Sequence, residues 1–375
     1  MARPRFLAGI DSHNVEADGE GNSTYARSLI AALFAQAGDE VFALFAGDPG
    51  HPFYRSLPPR GPSRAIRVRQ GAGVLRIALT LGRAAMRQRV DCLHVQYAAP
   101  LGYAGPLVVT VHDLGFLHVP ESFPVALRVA LRVLVPRSIA RAARVITCSE
   151  FCRRDIEARY GVPPGKVAVV PLGAAAPFHP RAGAETAGVL ARYGLRPGFL
   201  FALGRLNRRK NLERLLSAYA RLRADGVSEV PLVIGGKPDY GVASVRRRAR
   251  LGPDASGVRF LGLIPDADLP HLYSGAACFV YPSLFEGFGL PLIEAMACGT
   301  PVVSSDRTAL PELVDTAGLL VDPESAEALA AAMARVLGDP DLARELGRRG
   351  LERSRQYSWA ETARRTLAIY HDASP

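Results

Sequence analysis

Lysine is almost absent from this chain: of 46 basic residues only Lys166, Lys210 and Lys237 are lysines, and the rest are arginines. A lysine kept in such a setting suits chemistry that wants a compact point charge, such as phosphate binding, although Lys166 reads as an exposed loop residue. Long apolar runs are absent too. No stretch of 18 apolar residues occurs, so no membrane-spanning helix is expected. Met1-Ala2-Arg3-Pro4-Arg5 runs at once into a short strand, which is too short a lead for a signal peptide. Cysteine is sparse and odd in number, at five. Cys148 and Cys152 have a C-x3-C spacing with no second pair, which argues against zinc. Cys278 and Cys298 sit in apolar contexts and read as small core residues. A reducing, cytoplasmic setting fits this usage. No repeat of solenoid length, zinc finger, aromatic–basic RNA motif or glycine–arginine tail occurs. The net charge of +11 is therefore not assigned to nucleic acid; an anionic small ligand or an anionic membrane surface accounts for it.

What is present describes a globular enzyme. A length of 375 residues suggests two or three domains, and 49% apolar with 22% charged residues excludes a disordered chain. The first half alternates strand and helix. Strands are expected at Phe6–Ile10, Val41–Phe45, Cys92–Val95, Leu107–Val111, Val145–Cys148 and Val167–Val170; helices at Ser23–Ala35, Leu75–Arg87 and Val125–Ala143. The Pro/Ala/Gly-rich stretch Pro171–Ala184 reads as a linker. The second half restarts with strand Phe199–Leu203 and helix Leu212–Ala224. It continues with strand Pro231–Ile234, helix Ala243–Leu251, strand Val258–Leu261, helix Asp268–Ser274 and strand Cys278–Tyr281. A further strand, Val302–Ser304, and an Ala-rich helix, Ser325–Leu337, follow. This pattern predicts an α/β fold of two Rossmann-like, doubly wound parallel-sheet domains, residues 1–178 and 185–358, with ligand beyond the carboxyl ends of the strands.

The most informative segment is Pro282–Pro301. Strand Cys278–Tyr281 leads to Glu286, then to the loop Gly287-Phe288-Gly289, then to a short apolar helix closed by Gly299 and Pro301 that carries Glu294 one turn in. Backbone N–H groups at such a helix start can hold an anion, and the two carboxylates can accept hydrogen bonds from hydroxyls. Anion plus polyol describes a sugar nucleotide. Three further runs follow strands. Asp18-Gly19-Glu20-Gly21-Asn22-Ser23 gives a glycine loop before a helix, with Asn22 or Ser23 as a candidate N-cap. Val111-His112-Asp113-Leu114 puts a histidine at a strand end, able to donate a hydrogen bond to a sugar hydroxyl. Gly204-Arg205-Leu206-Asn207-Arg208-Arg209-Lys210-Asn211 holds cations on a rigid edge, as a diphosphate requires.

Glu286 and Glu294, with flanks Val258–Gly262, Ile264-Pro265, Leu269–Tyr273, Pro282-Ser283 and Ser358-Trp359, resemble the Glu-x7-Glu motif of retaining GT-B glycosyltransferases of family 4, also called glycosyl transferases group 1. The resemblance implies two facing domains, with the last helix, residues 359–375, returning to the first. It implies transfer of a hexose, of mannose or glucose type, from a nucleoside-diphosphate sugar to an acceptor hydroxyl in glycan, polysaccharide or glycolipid synthesis. Arg205, Lys210, Gly21 and Asn22 would hold the diphosphate. Glu294 would bind the ribose and the Gly262–Pro265 backbone around Ile264 the nucleobase. Glu286 with Gly287, Phe288, Gly289 and Leu290 would orient the sugar, and His112 would touch its far side. Arg208 and Arg209 receive no role and read as solvated. Retention is usually drawn in this family as a front-face displacement. The Val-His-Asp-Leu context resembles bacterial mannosyltransferases, which favours GDP-mannose over a UDP-hexose. The acceptor is expected to be a carbohydrate or lipid-linked hydroxyl. No cofactor or metal is required, the nucleotide sugar being a co-substrate.

Asp266-Ala267-Asp268 imitates the Asp-x-Asp metal motif of the other large glycosyltransferase fold, but Asp268 reads as helix-start chemistry. Gly235-Gly236-Lys237 is either cleft lining or a tight turn. Arg128, Arg132, Arg137 and Arg141 on the third helix, and Arg246-Arg247-Arg248, could meet anionic lipid at the inner membrane face; a snorkelling, solvated arginine face is the favoured account. A nucleotide-sugar epimerase on the same fold, a silent carbohydrate or polyanion binder, and a nucleic-acid binder are the rival functions.

Overall fold

The computed structural model describes residues 6–17, 21–59, 61–68, 80–226, 229–238 and 257–374. Asp18–Glu20, the helix expected over Ala243–Leu251 with Arg246–Arg248, and the start of that expected over Leu75–Arg87 lie outside them. The described part of the last is helix Gly82–Gln88.

The chain divides into two compact units. One comprises Met1–Leu117, Val125–Leu172 and Trp359–Pro375; the other comprises His118–Pro124 and Gly173–Ser358. In the first, β1 (Leu7–Asp11), β2 (Val41–Ala46), β3 (Arg64–Arg67), β4 (Cys92–Gln96), β5 (Leu107–Thr110), β6 (Arg144–Thr147) and β7 (Val167–Val169) form a parallel sheet in the order β3-β2-β1-β4-β5-β6-β7. β2, β4 and β5 are buried at every residue, as strands covered on both faces must be; β2 is an unbroken apolar run, whereas β4 and β5 also bury His94, Gln96 and Thr110. β3 has only Ala65 and Ile66 between two exposed arginines. That edge strand carries no core pattern and was not expected from sequence. The C-terminal helix Trp359–Ala373 belongs to this unit. Its Tyr370 hydroxyl meets His94 Nδ1 at 2.6 Å, and His94 Nε2 meets Thr110 Oγ1 at 2.7 Å. Burial pushes His94 down to about 3, so this link stays uncharged at neutral pH.

In the second unit, β8 (Phe199–Leu203), β9 (Leu232–Gly235), β10 (Val258–Gly262), β11 (Ala276–Tyr281), β12 (Val302–Ser305) and β13 (Leu319–Val321) are parallel in the order β10-β9-β8-β11-β12-β13. Helices Leu212–Ala224 and Ala326–Gly338 bury Leu215, Tyr219, Leu329 and Met333 on one face of this sheet. Ser325 caps the latter helix by accepting from Ala328 N at 3.0 Å. Helices Glu150–Tyr160, Gly183–Arg192 and Pro340–Ser354 and strand β13 were not expected. The second of these helices begins at the end of the stretch read as linker. The third has Gly347 and Gly350 among its buried positions, so an apolar count misses its packed face.

In each sheet the order reverses at one place, between β1 and β4 and between β8 and β11. Such switch points leave a crevice beyond the carboxyl ends of the adjacent strands. In the second unit the backbone closes tightly there. Gly236 has φ of 130°, and a Cβ on it would lie 1.9 Å from the Gly204 carbonyl oxygen. Gly235-Gly236 is thus a close backbone approach between the ends of β8 and β9. Gly236→Ala should lower unfolding free energy by about 3 kcal/mol, read from the urea midpoint; an unchanged midpoint would mean the approach relaxes at no cost.

Candidate active site

Two loops of the second unit meet beyond the β8/β11 switch point. The first leaves β8 through Gly204, forms a 3-10 turn at Arg208–Lys210 and enters the helix through Asn211 at φ 57°. The second leaves β11 through Pro282 and carries Glu286. Asn211 Nδ2 donates to the carbonyls of Pro282 at 3.1 Å and Pro323 at 2.6 Å, and Leu284 N donates to the Arg209 carbonyl at 2.9 Å. These bonds hold the loops in register before any ligand is considered.

Glu286 is 6% exposed. Its Oε1 accepts from Lys210 Nζ and from the Tyr281 hydroxyl at 3.0 Å, and its Oε2 accepts from Arg209 Nη1 at 2.9 Å. Burial by itself would raise the carboxyl; Arg209 and then Lys210 outweigh it and hold it down at about 2. Arg209, read from sequence as solvated, is therefore corrected: Nη1 also donates to the Phe285 carbonyl at 3.0 Å, and its side chain is largely covered. No sequence signal separates it from Arg208, because only the turn aims one of them inward. Lys210 is buried, with its ammonium 4.6 Å from the centre of the Tyr281 ring. Arg205 is half-buried on the same loop.

Gly287, Phe288 and Gly289 are buried and Leu290 is half-buried. Gly289 has φ of 111°, and a Cβ there would meet Leu310 Cδ2 at 2.9 Å, so only glycine fits this entry to helix Leu290–Ala297. The first turn leaves N–H groups without intrahelical acceptors. Glu294, in that helix, is 8% exposed and accepts from the Tyr273 hydroxyl at 2.9 Å. Burial raises it to about 8, against the lowering effect of that bond. Ile264 turns its side chain inward against Gly235, while its neighbour Leu263 is 53% exposed. Asp268 stands at the helix start without capping it. Its carboxylate instead accepts from Arg192 Nη2 at 2.7 Å and the Tyr193 hydroxyl at 2.6 Å, so Asp268 holds the expected helix-start position but does not cap through its side chain.

The remaining candidates belong to the first unit. Helix Gly21–Gln36 begins at Gly21, where a Cβ would meet nothing within 4 Å. Asn22 and Ser23 are helical, so neither is the expected N-cap. His112 follows β5. Its Nε2–H donates to Gln96 Oε1 at 2.9 Å, which leaves Nδ1 as an acceptor, and burial pushes the ring down to about 4. Neutral His112 can accept a hydrogen bond through Nδ1, while its donor nitrogen, Nε2, is engaged by Gln96. The thiols of Cys148 and Cys152 both donate to the His112 carbonyl at 3.2 Å, a use for the C-x3-C pair that spacing did not suggest.

Two doubly wound parallel-sheet units are the architecture of the GT-B fold, and the comparisons give the class. Residues 194–353 match the family described as Glycosyl transferases group 1, and residues 20–175 match Glycosyltransferase Family 4. O-antigen chain mannosyltransferase B of Escherichia coli is 34% identical over 264 residues, covering 70% of this chain and 69% of that protein. An alpha-maltose-1-phosphate synthase of Mycobacterium tuberculosis is 30% identical, covering 93% and 95%. A solved sucrose-phosphate synthase from Thermosynechococcus elongatus has a TM-score of 0.77 at 26% identity, covering 98% of each chain. The chain belongs to the family 4 glycosyltransferases and is a glycosyltransferase.

The state of Glu294 has a measurable consequence. A carboxyl raised from 4.5 to about 8 favours the folded state while protonated; this contribution is complete below pH 4.5 and is lost as pH rises through about 8. Glu294→Gln cannot ionise. Its melting temperature should fall less than the wild type's over that window, and parallel curves would remove the raised carboxyl.

Proposed function

We propose that the enzyme transfers a hexose from a nucleoside-diphosphate sugar to an acceptor hydroxyl with retention of anomeric configuration. The observation that carries this reading is the buried Glu286 carboxylate held between Lys210 and Arg209 at the β8/β11 switch point. Arg205 and Lys210 hold the diphosphate, with the Gly21 end of its helix and Asn22 as further partners. Glu294 takes the ribose hydroxyls, and the Gly262–Pro265 backbone takes the base. Glu286 and the Gly287–Leu290 backbone orient the sugar, and His112 accepts from one of its hydroxyls.

This arrangement favours a front-face displacement over a covalent intermediate on Glu286. Its two oxygens are occupied by cationic and hydroxyl donors, and a carboxylate held near 2 is a poor nucleophile and a poor base. In the proposed step the anomeric carbon–phosphate oxygen bond breaks, the acceptor oxygen bonds on the same face, and its proton passes to the departing phosphate oxygen. Lys210 and Arg205 stabilise the charge that develops there. Arg209 keeps Glu286 ionised when Lys210 turns to phosphate. No metal is proposed, since these cations perform that task. The Val-His-Asp-Leu context and the mannosyltransferase relative favour mannose, from GDP-mannose; a UDP-hexose is the alternative donor, tested beside it as UDP-glucose. The acceptor is proposed to be a carbohydrate or lipid-linked hydroxyl.

A thermal-shift series of GDP-mannose, UDP-glucose and the free diphosphates tests the donor, because a ligand that binds only the native state raises its melting temperature. The expected outcome is a rise with GDP-mannose that exceeds the others; no rise with any nucleotide would sink the assignment. Arg205→Ala and Lys210→Ala should each weaken diphosphate binding by about 1–3 kcal/mol. Arg209→Gln should instead leave binding nearly intact and move the acid limb of kcat to higher pH, as Glu286 becomes easier to protonate. Turnover should persist in excess EDTA. Loss of turnover, restored by magnesium or manganese, would contradict the proposed division of labour.

A further inference from the structure

Tyr281 ends β11 and is 2% exposed. Its packing asks only for the ring, which lies against Phe279 with centroids 5.8 Å and planes 24° apart. The hydroxyl has a separate use. It accepts from Lys210 Nζ and donates to Glu286 Oε1 at 3.0 Å, the same oxygen that Lys210 reaches. Ammonium, phenol and carboxylate oxygen thus close a triangle. Burial, and then the Glu286 charge, push the phenol well above its ordinary range, so it keeps its proton and remains a donor to the carboxylate.

Two demands fall on Lys210. Its ammonium pairs with Glu286 in the structure, and in the proposed donor complex it must face phosphate. The stem runs close against the end of β8: Gly204 has φ of 149°, and a Cβ there would lie 2.9 Å from Lys210 Cε. The end of the side chain is therefore the part able to turn. When the ammonium leaves, it leaves behind one oxygen of a buried carboxylate, and an uncompensated buried charge is costly. We propose, resting on the donor assignment above, that Tyr281 is a positioning residue for donor binding: its hydroxyl stays on Glu286 Oε1 while Lys210 turns to the diphosphate. Arg209 holds the other oxygen. The Tyr281 ring also keeps the ammonium in reach, since its centre lies 4.6 Å from Nζ, where a π face attracts a cation. The rival account, an aromatic present for packing, gives the hydroxyl no part in binding.

A double-mutant cycle on nucleotide binding separates the two, with GDP and UDP as probes in titration calorimetry. Tyr281→Phe keeps the ring. It should weaken binding of whichever nucleotide wild type prefers about tenfold, through the loss of a charge-assisted hydrogen bond. In a Lys210→Ala background, where no ammonium turns, the same change should weaken binding by less than about twofold. Equal losses in the two backgrounds would overturn the proposal. Wild-type affinity in the single variant Tyr281→Phe would overturn it without the second background, and a lowered melting temperature alongside that affinity would assign the hydroxyl to stability alone. Wild type that binds neither nucleotide would remove the donor assignment itself, and the proposal with it.

Discussion

The site depends on one buried charge. Glu286 has lost nearly all contact with water, and an ionised carboxylate can stay there only because Lys210 and Arg209 meet its two oxygens. Removing one partner from a buried arrangement of this kind costs about 3–5 kcal/mol, comparable with a large part of a domain's stability. The carboxylate comes from the loop after β11 and the cations from the loop after β8. These loops are neighbours only because β8 and β11 are adjacent parallel strands. Asn211 and the Leu284–Arg209 backbone bond then fix the distance between them. Sheet topology, loop geometry and charge state are thus a single constraint.

The two glutamates of the motif illustrate how little residue identity decides. Glu286 and Glu294 lie eight positions apart, and both are buried. One is held at about 2 and the other is raised to about 8. Desolvation acts on both in the same direction. The difference is the pair of cations beside Glu286, against a neutral phenol and the Asp266 charge near Glu294. One position therefore offers fixed negative charge at neutral pH. The other offers a carboxyl that can donate or accept, a suitable partner for a diol.

Much of the fold was legible because buried parallel strands are apolar runs and glycine, proline and capping residues punctuate them. Phe199–Leu203 and helix Leu212–Ala224 were read with the boundaries the structure has. The edge strand Arg64–Arg67 was not, since it shows no apolar pattern; helix Pro340–Ser354 was missed although Asp339 caps it and Pro340 opens it. At the site, Glu286, Lys210 and Glu294 stood out by spacing. Arg209 did not, nor did the inward turn of Ile264 and outward turn of Leu263, because adjacent residues are told apart by the direction of their side chains.

Sequence alone determined the alternation of strand and helix, the glycines required at close backbone approaches, and which loops carry cations and carboxylates. Those properties are local: they follow from backbone sterics and from burial periodicity over a few residues. Tertiary structure decided strand order, which arginine faces the carboxylate, that His112 presents Nδ1 as an acceptor, and that the Tyr281 hydroxyl bridges Lys210 and Glu286. Each of these depends on groups brought together from distant positions, as Lys210 and Glu286 are across 76 residues. Electrostatic energy depends on distance and burial in space, and neither is written in the order of the residues.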